Sequence, residues 1–105
     1  MKPSQQVIDS LLEQIVAMAH PLRVVLFGSA ARGQWTETSD IDLLIVVPDG
    51  CPMRKTAQHL YATIRGIRIP YDLVVATPAV LSKHADDCGM VYRHALREGQ
   101  ELYAA

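Results

Sequence analysis

Apolar residues recur at helical spacing in two long stretches of the chain. In the first stretch the apolar positions are Val7, Ile8, Leu11, Leu12, Ile15 and Val16. Polar residues separate these positions and Pro21 follows, so the pattern predicts an amphipathic helix that begins at about Ser4. The second stretch, residues 52–65, has the same spacing and precedes Gly66. It predicts a helix that ends at this glycine, with its Met and Tyr side chains in the core.

Short apolar runs rich in branched side chains form a second kind of pattern. They cover residues 22–27, 41–47 and 71–76. Runs of this length that end at glycine, proline or polar residues are typical of buried strands. A turn over residues 48–50 separates the second strand from the helix that follows it.

The remaining segments complete the predicted order of elements. Thr77 and Pro78 form a helix start signal, with Thr as N-cap and Pro at the first helical position, for a short helix that ends at about Ala85. A further helix over 88–97 and a marginal closing strand over 101–104 are expected to follow. A short helical turn that begins at Ser29 and runs to about Gly33, followed by a polar loop over 34–39, is expected to connect the first two strands.

Composition limits the classes of protein that the chain can represent. With 105 residues, half of them hydrophobic, residues 1–105 are expected to form one compact domain. The net charge of −1 and the lack of any Lys or Arg run make long nucleic acid a poor candidate partner. Two cysteines make no disulfide framework, and no segment resembles a leader peptide or approaches the length of a membrane span. We expect a soluble, cytoplasmic protein with no membrane partner.

Two short motifs at the ends of predicted strands carry the candidate chemistry. Gly28-Ser29 follows the first strand, and Asp40-Ile41-Asp42 opens the second after ten intervening residues. This spacing would arise by chance in about one chain in a thousand of this length. Gly28 lets backbone approach a phosphate closely, while Ser29 adds a hydroxyl and the following N–H groups face the anion. The first motif is therefore a candidate nucleotide-binding site.

The carboxylates of the second motif point to a metal. Asp40 and Asp42 are two residues apart, so in a strand they lie on one face, about 6.6 Å apart along the chain. Two hard oxygen ligands at that separation suit magnesium, and sites for phosphoryl transfer commonly hold two ions bridged by a carboxylate. Asp72, at the head of the third strand, supplies a third carboxylate that can ligate metal and accept the proton of an attacking hydroxyl. The catalytic and metal-binding candidates are thus Asp40, Asp42 and Asp72.

Four segments of the chain resemble the minimal nucleotidyltransferases of the DNA polymerase β-like superfamily. These segments are residues 26–33, 39–43, 71–74 and 97–103. The resemblance implies an α/β (α+β) fold with a mixed β-sheet flanked by helices, as in the polymerase β palm. It also implies transfer of a nucleoside monophosphate from a nucleoside triphosphate, with two Mg²⁺ ions and with ATP as the expected nucleotide. Arg32 can add charge to the nucleotide site, or can be a solvated helix residue.

The same resemblance indicates a partner. Minimal nucleotidyltransferases are commonly encoded beside a small HEPN protein as the antitoxin of a toxin–antitoxin pair, and family members attach AMP to a tyrosine of that protein. Two alternatives remain: a binding module that neutralises its partner by occlusion and has a vestigial site, or a homo-oligomer that modifies a small molecule. The family therefore predicts the reaction and leaves the acceptor open.

Several other residues have a functional and a structural interpretation. Trp35 can stack on a base or a partner, or can cover the edge of the core. Arg65 and Arg68 can reach phosphate, although a solvated helix end and an edge strand explain them as well. Of the four histidines, only His84 lies near a cysteine, Cys88, and two ligands do not make a zinc site.

Overall fold

The computed structural model describes residues 5–28, 40–84 and 99–105. The described elements are helices α1 (Gln5–Ala19), α2 (Met53–Thr63) and α3 (Pro78–His84), and strands β1 (Arg23–Phe27), β2 (Ile41–Val46), β3 (Tyr71–Ala76) and β4 (Gln100–Ala104). The predicted helix over 88–97, the turn after Ser29 and the loop over 34–39 lie outside the described residues. None of the described helices is long and apolar enough to cross a membrane.

The four strands form one mixed sheet in the order β3-β2-β1-β4. Strand β1 is antiparallel to both β2 and β4, whereas β2 is parallel to β3. The register places Asp42 of β2 opposite Phe27 on one side and opposite Asp72 on the other. The carboxyl end of β1 and the amino ends of β2 and β3 therefore meet at the same end of the sheet.

The central strand β2 is buried on both faces, which explains why its sequence is a continuous apolar run rather than an alternation. On one face Leu43 and Ile45 belong to the core cluster that includes Ile15 of α1 and Leu60 of α2. On the other face Leu44 and Val46 belong to a smaller cluster, against which Val80 and Leu81 of α3 pack. Since side chains alternate along a strand, Asp42 lies on the same face as this smaller cluster.

Local signals fixed the start of α3 as predicted but not the end of α2. The Thr77 hydroxyl accepts a hydrogen bond from the Val80 N–H at 3.3 Å, which confirms the predicted N-cap. The sequence predicted that α2 runs to about Arg65 and stops at Gly66, whereas the helix is two residues shorter. The helix ends at Thr63 because Ile64, with φ −64° and ψ 132°, is already extended, and Gly66 lies in the loop beyond it.

Side-chain contacts stabilise this irregular end of α2. Gln14 of α1 accepts a hydrogen bond from the Arg65 N–H at 2.8 Å and donates one to the Arg65 carbonyl at 2.9 Å. The Arg65 guanidinium donates to the carbonyls of Ala62 and Ile64, at 2.7 and 3.2 Å. Arg65 therefore caps the last turn of the helix, as cations at helix C-termini commonly do. Arg68 is exposed.

The predicted burial of Tyr61 was also wrong. Tyr61 and Leu60 both belong to the helical pattern of apolar residues on α2. The Tyr61 side chain is nevertheless 45% exposed, whereas Leu60 is fully buried. The Tyr61 ring stacks on Tyr71 of β3, with ring centroids 5.8 Å apart and an interplanar angle of 11°. Its hydroxyl accepts a hydrogen bond from the Leu73 N–H at 2.7 Å. Tyr61 therefore covers the edge of the sheet rather than its face.

Candidate active site

Two of the predicted carboxylates are brought together by the pairing of β2 and β3. Asp42 is the second residue of β2, and Asp72 is the second residue of β3 and its direct partner in the parallel register. Neighbouring strands lie about 4.8 Å apart, so the two Cα atoms are separated by about that distance. Partner residues in a parallel pair lie on the same face. The two carboxylates are thus neighbours at one end of the sheet.

Gly28 lies next to the Asp42 carboxylate, on the side of β2 that faces β1. It follows β1 directly and has a φ of +75°, a left-handed conformation that side-chain-bearing residues rarely adopt. A Cβ atom at Gly28 would overlap the Oδ2 atom of Asp42 and would lie 3.3 Å from its Cγ. The backbone after β1 can therefore approach the Asp42 carboxylate only because residue 28 is glycine.

The environments of the three predicted carboxylates differ. Asp42 is half-buried, whereas Asp40 and Asp72 are exposed. Asp40 directly precedes β2. The first residue of β2, Ile41, donates an N–H hydrogen bond at 2.9 Å to the carbonyl of Pro70, which directly precedes β3. Within the part of the chain that the structure describes, no three His, Cys, Asp or Glu side chains are grouped so that they could hold a metal ion. The structure therefore pairs Asp42 with Asp72 but does not complete the expected cluster with Asp40.

The donor set of the paired carboxylates still fits a hard cation. Asp42 and Asp72 offer up to four carboxylate oxygens from two adjacent, backbone-fixed positions, and such oxygens are the ligands that Mg²⁺ prefers. Two neighbouring negative charges also repel each other unless a cation lies between them. The arrangement is thus suited to bind a divalent cation and to place it beside the backbone of Gly28.

Two of the predicted nucleotide-binding residues, Ser29 and Arg32, lie outside the described residues, so their roles stay predictions from the sequence. Trp35, for which the sequence leaves open stacking on a base or partner and covering the core edge, also lies outside them.

Sequence reasoning missed two relationships at this end of the sheet. It assigned Gly28 to phosphate and did not anticipate its contact with Asp42, because the spacing between two strands says nothing about their register. It also placed Tyr61 in the core, because helical periodicity does not distinguish a face that packs on the sheet from one that overhangs its edge. No signal in the sequence identifies either contact.

Comparison with known proteins agrees with the family that the motifs predicted. Residues 8–100 match the family model described as the nucleotidyltransferase domain. A Methanocaldococcus jannaschii protein that bears the name of a protein adenylyltransferase is 38% identical over 61 residues, which make up 58% of this chain. The match spans 60% of the length of that protein.

Solved structures show the same fold. A nucleotidyltransferase from Sulfolobus solfataricus superposes with a TM-score of 0.58 and 21% identity, over 99% of this chain and 92% of that one. A mutant of the toxin–antitoxin pair MntA–HpeT gives 0.57 and 19%, over 98% of this chain and 75% of that one. A toxin–antitoxin structure with AMP-PNP gives 0.55 and 21%, with the same coverage. The predicted mixed sheet flanked by helices is confirmed.

Proposed function

We propose that the chain, which belongs to the nucleotidyltransferase domain family, transfers AMP from ATP to a hydroxyl group of a partner protein in a magnesium-dependent reaction. The observation that carries the proposal is the register of β2 and β3, which sets Asp42 beside Asp72, together with the contact between Gly28 and Asp42. The related protein named as an adenylyltransferase supports AMP transfer to a protein.

The three acidic residues Asp40, Asp42 and Asp72 would hold two Mg²⁺ ions. When bound, the ions neutralise charge on the triphosphate and favour the deprotonated form of the attacking hydroxyl. Asp42 is half-buried, and its strand lies between β1, which leads into Gly28, and β3, which carries Asp72. It is therefore the candidate for the carboxylate that both ions would share. Asp40 precedes the strand and can reach the site without disturbing the pairing of β2.

The glycine motif would position the nucleotide. Gly28 has no side chain, so its backbone can approach a phosphate while it also touches the Asp42 carboxylate. Ser29 contributes a hydroxyl and Arg32 contributes positive charge to the leaving pyrophosphate. These groups hold the α-phosphate in line with the acceptor, and positioning of this kind accounts for much of the catalysis in phosphoryl-transfer enzymes.

The chemical step is a substitution at the α-phosphorus. The oxygen of the acceptor hydroxyl forms a bond to this phosphorus, and the bond from the phosphorus to the bridging oxygen of the β-phosphate breaks. Pyrophosphate leaves with the electron pair of that bond. The hydroxyl proton passes to the carboxylate of Asp72, which acts as the general base. Because Asp72 is exposed and lies on the outermost strand, an acceptor can reach it from outside the sheet.

A HEPN-type protein is the proposed acceptor, with the chain acting as its antitoxin. The similarity in fold to two toxin–antitoxin structures, one of them with a nucleotide analogue, supports this assignment. Modification of a hydroxyl on the toxin would then be the neutralising event. We place the reaction in the cytoplasm and in a single domain that spans residues 1–105.

A second candidate function is neutralisation by occlusion, without catalysis. It is favoured by the finding that the described residues contain no group of three metal-ligating side chains. Asp42→Asn distinguishes the two functions, because it removes a charge from the proposed metal site while leaving the outer surface nearly unchanged. Loss of neutralisation supports catalysis, and full neutralisation by the variant supports occlusion.

The direct test uses ATP labelled at the α-phosphate, Mg²⁺ and the product of the adjacent gene. We expect the wild-type chain to transfer the label to the product of the adjacent gene. The variant Asp9→Asn, a control that alters an exposed acid on α1, should transfer it equally well. We expect no label with Asp42→Asn. An unlabelled partner in the presence of a chain that still binds Mg²⁺ would contradict the proposed function.

A further inference from the structure

Among the strands of residues 5–28, 40–84 and 99–105, β3 forms one edge of the sheet, with β2 on its inner side. The carbonyls of Pro70 and Ala76 accept hydrogen bonds from Ile41 and Val47, at 2.9 and 2.8 Å, so the even-numbered residues of this segment face β2. The N–H and C=O of one residue in a strand point in the same direction, and the direction alternates along the chain. The backbone groups of Tyr71, Leu73 and Val75 therefore point outward from the sheet.

One of these outward groups has a partner. The Leu73 N–H donates to the Tyr61 hydroxyl at 2.7 Å, and the Tyr61 ring is held there by its stack on Tyr71. In the described parts of the chain, the outward groups of Tyr71 and Val75 make no hydrogen bond. Unpaired donors and acceptors in a row, two residues apart, are a template for another strand.

We infer that this edge is the docking site for the acceptor, which binds as an extended segment and adds a fifth strand beside β3. The inference rests on the proposed function. Its basis is continuity: Asp72, the proposed base, belongs to the same strand whose outer backbone groups are unpaired. A segment that pairs with β3 is therefore brought to the catalytic carboxylate by its main chain.

The register of such a strand would aim a hydroxyl at Asp72. Since the backbone of Asp72 bonds inward to β2, an antiparallel segment would place a non-hydrogen-bonded partner opposite it, with Cα atoms about 4.5 Å apart and side chains on the same face. A Ser or Thr hydroxyl at that position lies beside the carboxylate. A Tyr two residues further along the docked segment is a diagonal neighbour of Asp72, and its longer side chain can bring its hydroxyl to the same carboxylate.

The edge selects against other occupants. A helix has already bonded its own backbone groups and cannot satisfy those of Tyr71 and Val75, whereas an extended peptide can. A second copy of this chain that paired its β4 edge with β3 would give an open filament on repetition, and one that paired its own β3 with this edge would form a closed dimer in which Asp72 is covered in both copies. The chemistry of the edge therefore favours an extended segment of a different protein.

Tyr61 controls access to this edge. Its hydroxyl occupies the Leu73 N–H that an incoming strand needs, so docking must displace it. Tyr61→Phe removes the competing hydroxyl and keeps the ring that stacks on Tyr71. A neutral hydrogen bond contributes about 0.5–1.5 kcal/mol, so we expect the variant to bind the partner about two- to tenfold more tightly. A purely structural role for Tyr61 would give no gain in affinity.

The test is amide hydrogen exchange, resolved by residue with ¹⁵N-labelled chain, in the presence and absence of the adjacent gene product. We expect exchange at Leu73 and Val75 to slow at least tenfold on addition of that protein. Val74 and Ala76, whose N–H groups already face β2, serve as internal controls and should change little. The same samples are assayed for AMP transfer and, by sedimentation, for the size of the complex.

The outcomes separate this inference from the proposed function. Equal protection of both sets of amides, protection of neither in a complex that transfers AMP, or weaker binding by Tyr61→Phe overturns edge docking and leaves the function standing. Alternating protection without transfer supports edge docking and overturns the function. Protection that accompanies self-association without the partner identifies a second copy as the occupant and overturns the inference. No binding to the adjacent gene product overturns both.

Discussion

The backbone of Gly28 lies against the carboxylate of Asp42, at a distance that leaves no room for a side chain between them. The contact joins the end of β1 to the second residue of β2 across the pairing of Phe27 with Asp42. It holds a half-buried carboxylate beside a backbone that is free to approach phosphate. The close approach and the left-handed φ of +75° are two separate reasons for glycine at this position.

Gly28→Ala should therefore be destabilising for both reasons. A left-handed conformation costs a residue with a Cβ about 1–2 kcal/mol, and forcing an atom into a packed site costs about 1–3 kcal/mol more. We expect a total loss of about 2–5 kcal/mol in the free energy of unfolding, measured by urea denaturation, together with loss of AMP transfer.

Gly66→Ala is the matched control for this substitution. Gly66 has nearly the same φ, +79°, but nothing lies within 4 Å of a Cβ built there. We expect Gly66→Ala to lower the free energy of unfolding by only the cost of the left-handed conformation, about 1–2 kcal/mol, and to keep AMP transfer. Equal losses in the two variants would show that the contact with Asp42 does not constrain residue 28.

Asp72→Asn should leave the metal-free fold as stable as the wild type, or more stable. Asp72 is exposed, and the substitution preserves the shape of its side chain while removing one of two neighbouring negative charges, which repel each other when no cation is present. The measurement is the melting temperature in chelator. A clear drop would indicate that Asp72 supports the fold rather than the reaction.

Mg²⁺ should stabilise the wild-type chain, and the effect should depend on the paired carboxylates. A ligand that binds only the folded state at 100 times its Kd adds about 2.7 kcal/mol, which for a domain of this size is an increase in Tm of about 10 °C or more. We expect a reduced shift for Asp42→Asn and for Asp72→Asn in a magnesium titration followed by thermal melting. Asp9→Asn should retain the full shift, and a full shift in all variants would place the bound ion elsewhere.

Tyr61→Phe should cost about 0.5–1.5 kcal/mol of stability, because it removes the acceptor of the Leu73 N–H while keeping the stacked ring. Tyr71→Phe is its control: among the described residues the Tyr71 hydroxyl makes no hydrogen bond, so we expect almost no change. The two are compared by urea denaturation at one pH. A larger loss in Tyr71→Phe than in Tyr61→Phe would contradict this account of the edge.

The helices and strands followed from local patterns wherever a segment is buried in a regular way. The periodicity of α1, the apolar runs of β1, β2 and β3, and the N-cap at Thr77 all lie where they were expected. The end of α2 did not, because Gln14, fifty-one residues away, holds Arg65 in an extended segment before Gly66 is reached. Tyr61 was misplaced for a similar reason, since its partner is the backbone of another strand.

The sequence by itself predicted the chemistry, because the types and spacing of Gly28, Asp40, Asp42 and Asp72 are typical of the nucleotide and metal site that we propose. The tertiary structure decided which of these residues meet. The parallel register of β2 and β3 pairs Asp42 with Asp72, and the antiparallel register of β1 and β2 brings Gly28 onto the same carboxylate. Register depends on hydrogen bonds between strands that are distant in the chain, and a one-dimensional pattern does not contain that information.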